Sequence, residues 1–178
     1  EAIKFSAYKL GIKPKLTWVN SKEYETKKGK AKELLKFDGV IIPGGFGSSG
    51  VEGKISAIKF VRENKIPYLG LCYGMQLAVI EYARNILGIT DAHTTEVDPN
   101  TKNPVIDIMP DQKKKIEEED YGATMRLGAY PAILKEGTIA QEAYGRDEIS
   151  ERHRHRYEVN PVFVEKISSG GLVFSATS

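Results

Sequence analysis

Residues 66–86, IPYLGLCYGMQLAVIEYARNI, decide the reading of the fold. The opening IPYLGL is a nearly continuous apolar run, as expected of a strand buried on both faces. From Met75 onward the period changes: Met75, Ala78, Val79, Tyr82 and Ile86 fall on one face of a predicted helix. Between the two lies Gly70-Leu71-Cys72-Tyr73-Gly74, a G-x-C-x-G turn. A sharp strand-to-helix turn of this kind holds its central residue in a strained backbone conformation, and flanking glycines let neighbouring backbone approach without a Cβ in the way.

The same alternation extends toward the N-terminus. Ile3, Ala7 and Leu10 recur at helical spacing, with Gly11 as the stop. Residues 15–20 (KLTWVN) predict a strand that places Trp18 in the core. Residues 29–36 predict a short polar helix, 37–43 (FDGVIIP) a second buried strand, and Val51, Ile55 and Ile58 another helix. Strand and helix in turn imply an α/β fold, with a mostly parallel, doubly wound sheet between two helix layers. After Gly88 the pattern becomes strand-rich. Residues 91–103 are polar and turn-rich, and 113–120 (KKKIEEED) read as a solvated charged loop. Strands are predicted at 124–133, 137–140, 157–159 and 171–176. No repeat or long linker divides the chain, so residues 1–178 form a single domain. It begins inside a helix and ends on a strand, which predicts a cut at both ends of a longer polypeptide.

Composition bounds the function. Twenty-six Lys plus Arg against 24 Asp plus Glu leave a net charge of +2, which gives no electrostatic footprint for nucleic acid and no basic membrane face. The longest charge-free stretch, residues 66–80, is interrupted by Pro67, Gly70 and Gly74 and falls short of the ~20 apolar residues a bilayer span needs. With no visible signal peptide, a cytoplasmic location is expected. The single cysteine excludes an internal disulfide.

Cys72 therefore reads as a buried small hydrophobe or as a nucleophile, and its position at a helix start favours the second, because the macrodipole there stabilises an anionic sulfur. The N–H groups of Tyr73 and Gly74 open the helix and can face an oxyanion. A second glycine loop, Pro43-Gly44-Gly45-Phe46-Gly47, follows the preceding strand and reaches the same edge of a parallel sheet. It lacks the Lys-Ser/Thr of a phosphate loop, and Gly45 is placed to supply another oxyanion N–H. In Arg152-His153-Arg154-His155-Arg156 the two histidines share one face if the segment is a strand. A metal there would need further ligands, so no metal site is expected.

PGGFG followed by a Cys elbow resembles the class I glutamine amidotransferases. GLCYGMQLAVIEYARN (70–85), HTTEVDPNT (93–101), TMRLGAYP (124–131) and ISERHRHRYEVN (149–160) resemble more narrowly the C-terminal glutaminase domain of the CTP synthase family, over essentially the whole chain. The resemblance implies a glutaminase whose ammonia serves ATP-dependent amination of UTP to CTP. It makes Cys72 the nucleophile and Gly45 the loop glycine beside the substrate carbonyl. Tyr73, Gly74, Met75 and Gln76 become the elbow segment that holds L-glutamine. Glu96 becomes the reader of its α-amino group and Arg156 the reader of its α-carboxylate. Arg126 is implied to belong either to a nucleotide-effector surface or to a structural ion pair. No cofactor is implied in this domain; ATP and Mg belong to an N-terminal synthetase domain of the same polypeptide, GTP acts as allosteric activator, and the full enzyme is a homo-tetramer. Two departures stand out: Ser49 where the family usually has Arg, and no His-Pro-Glu to complete the triad, so the first strand and the general base are expected to lie outside these residues. Another class I amidotransferase and a non-catalytic regulatory relative are the alternatives.

Overall fold

The computed structural model describes residues 1–27, 29–108 and 125–177. Helix α4 (Tyr73–Asn85) is the element around which the rest is arranged. On one side it packs against the parallel pair β1 (Val40–Ile42) and β2 (Tyr68–Gly70), in the register Ile42↔Gly70. On another it meets a mixed sheet, β3 (Ala92–Thr94), β4 (Asn103–Ile108) and β7 (Tyr157–Val159). There β3 and β4 are parallel, and β4 and β7 antiparallel. Helix α3 (Val51–Glu63) lies alongside it, and α6 (Pro161–Ser169) closes the core with Ile167. A third sheet is a long antiparallel pair, β5 (Arg126–Leu134) and β6 (Glu148–His155), edged by the short β8 (Ala176–Thr177). The α/β class thus holds, with parallel pairing in the first half and antiparallel pairing prominent in the second.

The core is built from α4 outward. Tyr73, Leu77, Ile80 and Ala83 meet Ile42, Ile55 and Ile58 on one side and Ala92, Val105 and Ile106 on the other. Met75 and Ile86, expected on the buried stripe, are exposed. Val79 of that stripe is buried and Ala78 and Tyr82 pack against the core; apolar residues occur all round this helix, so periodicity located only part of the buried face, which contact with two sheets and α3 defines. Ile41 and Leu69, paired across the β1–β2 ladder, share a face and are exposed, so those strands are covered on one side only. Helix α1 (Ala2–Lys9) forms as its spacing predicts, but buries no residue.

Other expectations fail for identifiable reasons. Residues 15–20 pair with no strand among the described residues, and Trp18 is 91% exposed rather than in the core. Without a ladder partner, β-propensity does not make a strand. Residues 137–140 are not a strand. They lead into α5 (Ile139–Tyr144), whose N-terminus is capped by Thr138 Oγ1 accepting from Gln141 N–H, while the Gln141 side chain accepts from Gly137 N–H. This is a variant of the Thr-x-x-Gln start signal. Of the strand expected at 171–176 only Ala176 enters a ladder, opposite Leu134 in β8; residues 171–175 run into it as coil. Helix α6 has its own start signal in Asn160-Pro161, the Asn160 side chain accepting from Val162 N–H at 3.1 Å. The short helix expected at 29–36 is a 3-10 helix, Lys30–Lys36. The charged loop expected at 113–120, and Thr124, lie outside the described residues.

One buried ion pair fastens α3 to α4. Glu81, 1% exposed, accepts from Arg62 at 2.7 Å (Nη2) and 2.9 Å (Nε). Arg62 retains access to water, whereas Glu81 has none, so the two deletions differ. Arg62→Met strands a buried carboxylate and is expected to cost about 3 kcal/mol or more. Glu81→Met leaves a cation that can turn to solvent, and should cost clearly less. Urea denaturation of the two single variants and the double variant checks this order; equal losses would contradict it.

Candidate active site

The elbow forms as the sequence indicates, and the structure shows why its glycines are needed. Cys72 has φ 51° and ψ −104°, a left-handed conformation strained for a residue with a Cβ, and is exposed as the N-cap of α4. A Cβ on Gly74 would overlap the Ile42 carbonyl oxygen, and one on Gly70 would lie 2.6 Å from the Gly74 carbonyl carbon. The turn is tied by Leu71 N–H to Ile42 O (2.9 Å), Gly74 N–H to Leu71 O (3.0 Å) and the Tyr68 hydroxyl to Gly74 O (2.7 Å). The Gly74 N–H is therefore engaged inside the turn and not free for an oxyanion, contrary to the expectation from sequence. The Tyr73 N–H, at the first position of α4, has no acceptor within the helix.

The glycine loop packs against this turn. A Cβ at Gly44 would lie 3.6 Å from Cys72 Cβ, and one at Gly45 3.5 Å from the Tyr73 ring. Among the described residues, the Gly45 N–H has no acceptor. Tyr73 is 1% exposed and donates its hydroxyl to Gly47 O at 2.6 Å, while Gly47 N–H donates to Glu96 Oε1 at 2.8 Å. Burial, reinforced by Glu96, pushes the Tyr73 hydroxyl up to about 12, so it remains a donor at neutral pH. Glu96 comes from the turn after β3, where its N–H meets the buried Thr94 hydroxyl at 3.2 Å. One carboxylate oxygen is thus spent on the loop. Ser49 is exposed, and its carbonyl accepts from Lys54.

From the other direction, the β6–β7 junction brings in Arg156, which is exposed. The next residue, Tyr157, gives its carbonyl to Gln76 Nε2 at 2.8 Å. Gln76 is 4% exposed and sits one turn along α4 from Cys72, so its amide bridges to β7. Burial and Glu96 push the Tyr157 hydroxyl up while Arg156 opposes them, so Tyr157 lies within the field of both charges. Met75, 42% exposed, projects from the first turn of α4. Cys72, Gly45, Tyr73, Gln76 and Glu96 are thus linked through the loop and elbow, and Arg156 is joined to them through Tyr157. The tethers themselves, the Tyr68 hydroxyl to Gly74 O and Gln76 to the Tyr157 carbonyl, carried no signal in the sequence, since each ends on a backbone carbonyl, which any residue has.

The histidines have partners other than Cys72. His93 accepts from Thr94 N–H at Nδ1 and points Nε2 toward Glu52 at 3.7 Å. His153 and His155 hydrogen-bond each other at 2.8 Å. Among the described residues no His bonds Cys72, and no group of three or more His, Cys, Asp or Glu is placed to hold a metal. Arg126 stacks 4.2 Å from the Tyr130 ring and lies 3.9 Å from Glu158.

The chain matches the profile of the family described as Glutamine amidotransferase class-I over residues 1–178. It belongs to that family. This amidotransferase domain is 56% identical to CTP synthase of Sulfurisphaera tokodaii over 178 residues, which cover 100% of this chain and 33% of that protein. It is 49% identical to CTP synthase of Staphylococcus saprophyticus, covering 100% of this chain and 32% of that protein. It thus spans about a third of the length of these curated relatives. Among solved structures it is similar to the Trypanosoma brucei CTPS glutaminase domain with bound acivicin. That match has a TM-score of 0.86 and 36% identity, and covers 98% of this chain and 69% of that one.

The strain at the elbow of the amidotransferase domain is measurable without activity. Cys72→Gly relieves the left-handed backbone and is expected to be more stable than Cys72→Ala by about 1 kcal/mol. Gly74→Ala, which overlaps the Ile42 backbone, should lose about 3 kcal/mol. Thermal melts of the three variants decide it; a Cys72→Ala protein as stable as Cys72→Gly would contradict the strain.

Proposed function

We propose that this chain is the glutaminase portion of a CTP synthase, in which Cys72 hydrolyses L-glutamine through a thioester and releases ammonia. The observation that carries this reading is the exposed, strained Cys72 beside the glycine loop that Glu96 holds, on a helix anchored to β7. Cys72 Sγ attacks the side-chain carboxamide carbon, and the C=O electron pair moves to oxygen. The Gly45 and Tyr73 N–H groups are the donors for that oxyanion. On collapse the C–N bond breaks, nitrogen takes a proton and leaves as ammonia, and a γ-glutamyl thioester remains. Water then adds to the thioester, releasing glutamate and the thiol.

The zwitterionic end of glutamine needs one anion and one cation to fix it. Glu96, with one oxygen already held by Gly47, presents the other to the α-ammonium, and Arg156 takes the α-carboxylate. Tyr73, Gly74, Met75 and Gln76 form the floor of the site: Tyr73 and Gly74 hold the turn, Gln76 braces it, and Met75 contributes exposed apolar surface. Among the described residues no His bonds Cys72, so this reading assigns proton transfer to another group of the whole protein.

In the whole protein, this reading supplies ammonia to a synthetase domain of the same polypeptide that aminates UTP to CTP with ATP and Mg. GTP acts as activator, in a cytoplasmic homo-tetramer. In this reading ATP and Mg are bound by that other domain.

Glutamate release measured on the full-length protein tests the reading. Cys72→Ala is expected to lower it at least about 10⁴-fold. Full activity in that variant would contradict it. Residues 1–178 expressed alone should label at Cys72 with a glutamine-like electrophile yet turn glutamine over about 10²–10⁴-fold more slowly than the full-length protein. Near-normal turnover by that chain would make His93, His153 or His155 the base.

A further inference from the structure

The alternating segment Arg152–Arg156 holds a side-chain chain that the proposed reaction does not use. His155 Nδ1 lies 3.1 Å from the Tyr157 carbonyl, and His155 Nε2 lies 2.8 Å from His153 Nδ1. A carbonyl only accepts, so His155 Nδ1 carries the proton, its Nε2 is an acceptor, and His153 donates from Nδ1–H. The Tyr157 carbonyl also accepts from Gln76 Nε2 at 2.8 Å, filling both lone pairs. The His153 ring packs edge-on against Tyr130, with ring centroids 5.4 Å apart, which fixes the outer end of the chain.

Arg156 is the residue between the two ends of this clamp. Its backbone is spanned by the hydrogen bond from the residue before it to the carbonyl of the residue after it. That same carbonyl is locked to the helix that begins at Cys72. Among the described residues Arg156 makes no side-chain hydrogen bond or ion pair of its own, so the backbone on either side of it is what places it. We propose that His155 is a positioning residue: by donating to the same Tyr157 carbonyl that Gln76 of the elbow helix holds, it fixes the backbone on either side of Arg156 and so keeps Arg156 at the carboxylate end of the glutamine site. The inference rests on the glutaminase reading above. Burial, with Arg126 adding to it, holds His155 below the usual histidine range against the pull of the Tyr157 carbonyl. Burial, Arg126 and His155 do the same to His153. Both rings are thus neutral at pH 7, the state this hydrogen-bond direction requires.

An arginine that reads the α-carboxylate contributes binding held equally in ground and transition states, so misplacing it raises KM more than it lowers kcat. In the full-length protein, His155→Ala is expected to raise KM for glutamine about tenfold, with kcat within about threefold of wild type. His155→Asn keeps an N–H donor near the Nδ1 position and should restore KM to within about twofold. Unchanged KM in His155→Ala overturns the inference. So does a His155→Asn protein as impaired as the alanine variant, which would mean that ring packing rather than the hydrogen bond matters. If His155→Ala does not fold, His155→Asn decides alone: near-normal KM supports the clamp and a tenfold rise overturns it. A wild-type protein that hydrolyses no glutamine overturns the glutaminase reading and this inference together, whereas wild-type turnover with an unmoved KM in the variants overturns only the inference.

Discussion

Backbone-to-backbone contact between the first turn of α4 and the end of β1 is the constraint on which the other features depend. Gly74 lies so close to the Ile42 carbonyl that no Cβ fits, and Gly70 lies under Gly74 in the same way. With the helix start pressed onto the strand, the residue that reverses the chain has to take up a positive φ, and that residue is Cys72. The sulfur is thereby exposed at the head of the helix while Tyr73, immediately after it, is buried. Closeness at one point thus fixes both the exposure of the nucleophile candidate and the anchoring of its neighbour.

From that seat α4 acts as a rigid reference for the site. Its buried face is shared between two sheets and α3, and a bidentate Arg62–Glu81 pair fastens it laterally. Three polar tethers run from its first turns: Tyr68 to Gly74, Tyr73 to Gly47, and Gln76 to Tyr157. Each connects a different segment to the same short stretch of helix. The glycine loop, Glu96 and the β6–β7 junction are therefore placed relative to Cys72 by hydrogen bonds of 2.6–2.8 Å rather than by loop packing alone. Residues expected to touch one substrate are far apart in sequence, and such precision is what orienting a small zwitterion demands.

What was legible in the sequence is what local chemistry dictates. G-x-C-x-G between an apolar run and a helix has few backbone solutions, so the Cys72 turn and the β1–β2 and α3–α4 alternation could be read directly. Glu96 and Arg156 could not be read that way; only the resemblance singled them out, because a lone loop carboxylate and one Arg among three carry no local mark. Trp18 was misplaced because a strand exists only with a partner, and none adjoins residues 15–20 among those described. Met75 and Ile86 were misjudged because α4 is apolar on more than one face. The Thr138 cap was present in the sequence and outweighed by the apparent strand character of residues 137–140, and the Asn160-Pro161 start signal was passed over. The tethers to carbonyl oxygens, which leave no residue signature, were invisible.

The central claim is that Cys72, Glu96 and Arg156 serve one glutamine molecule. The most direct measurement is a crystal structure of the full-length protein after reaction with a glutamine-like electrophile. The account expects a covalent bond at Cys72 Sγ, the adduct's oxygen facing the Gly45 and Tyr73 N–H groups, its α-amino group on Glu96 and its α-carboxylate on Arg156. An adduct at Cys72 whose amino-acid end lies away from both Glu96 and Arg156, or no adduct at Cys72 at all, would contradict it.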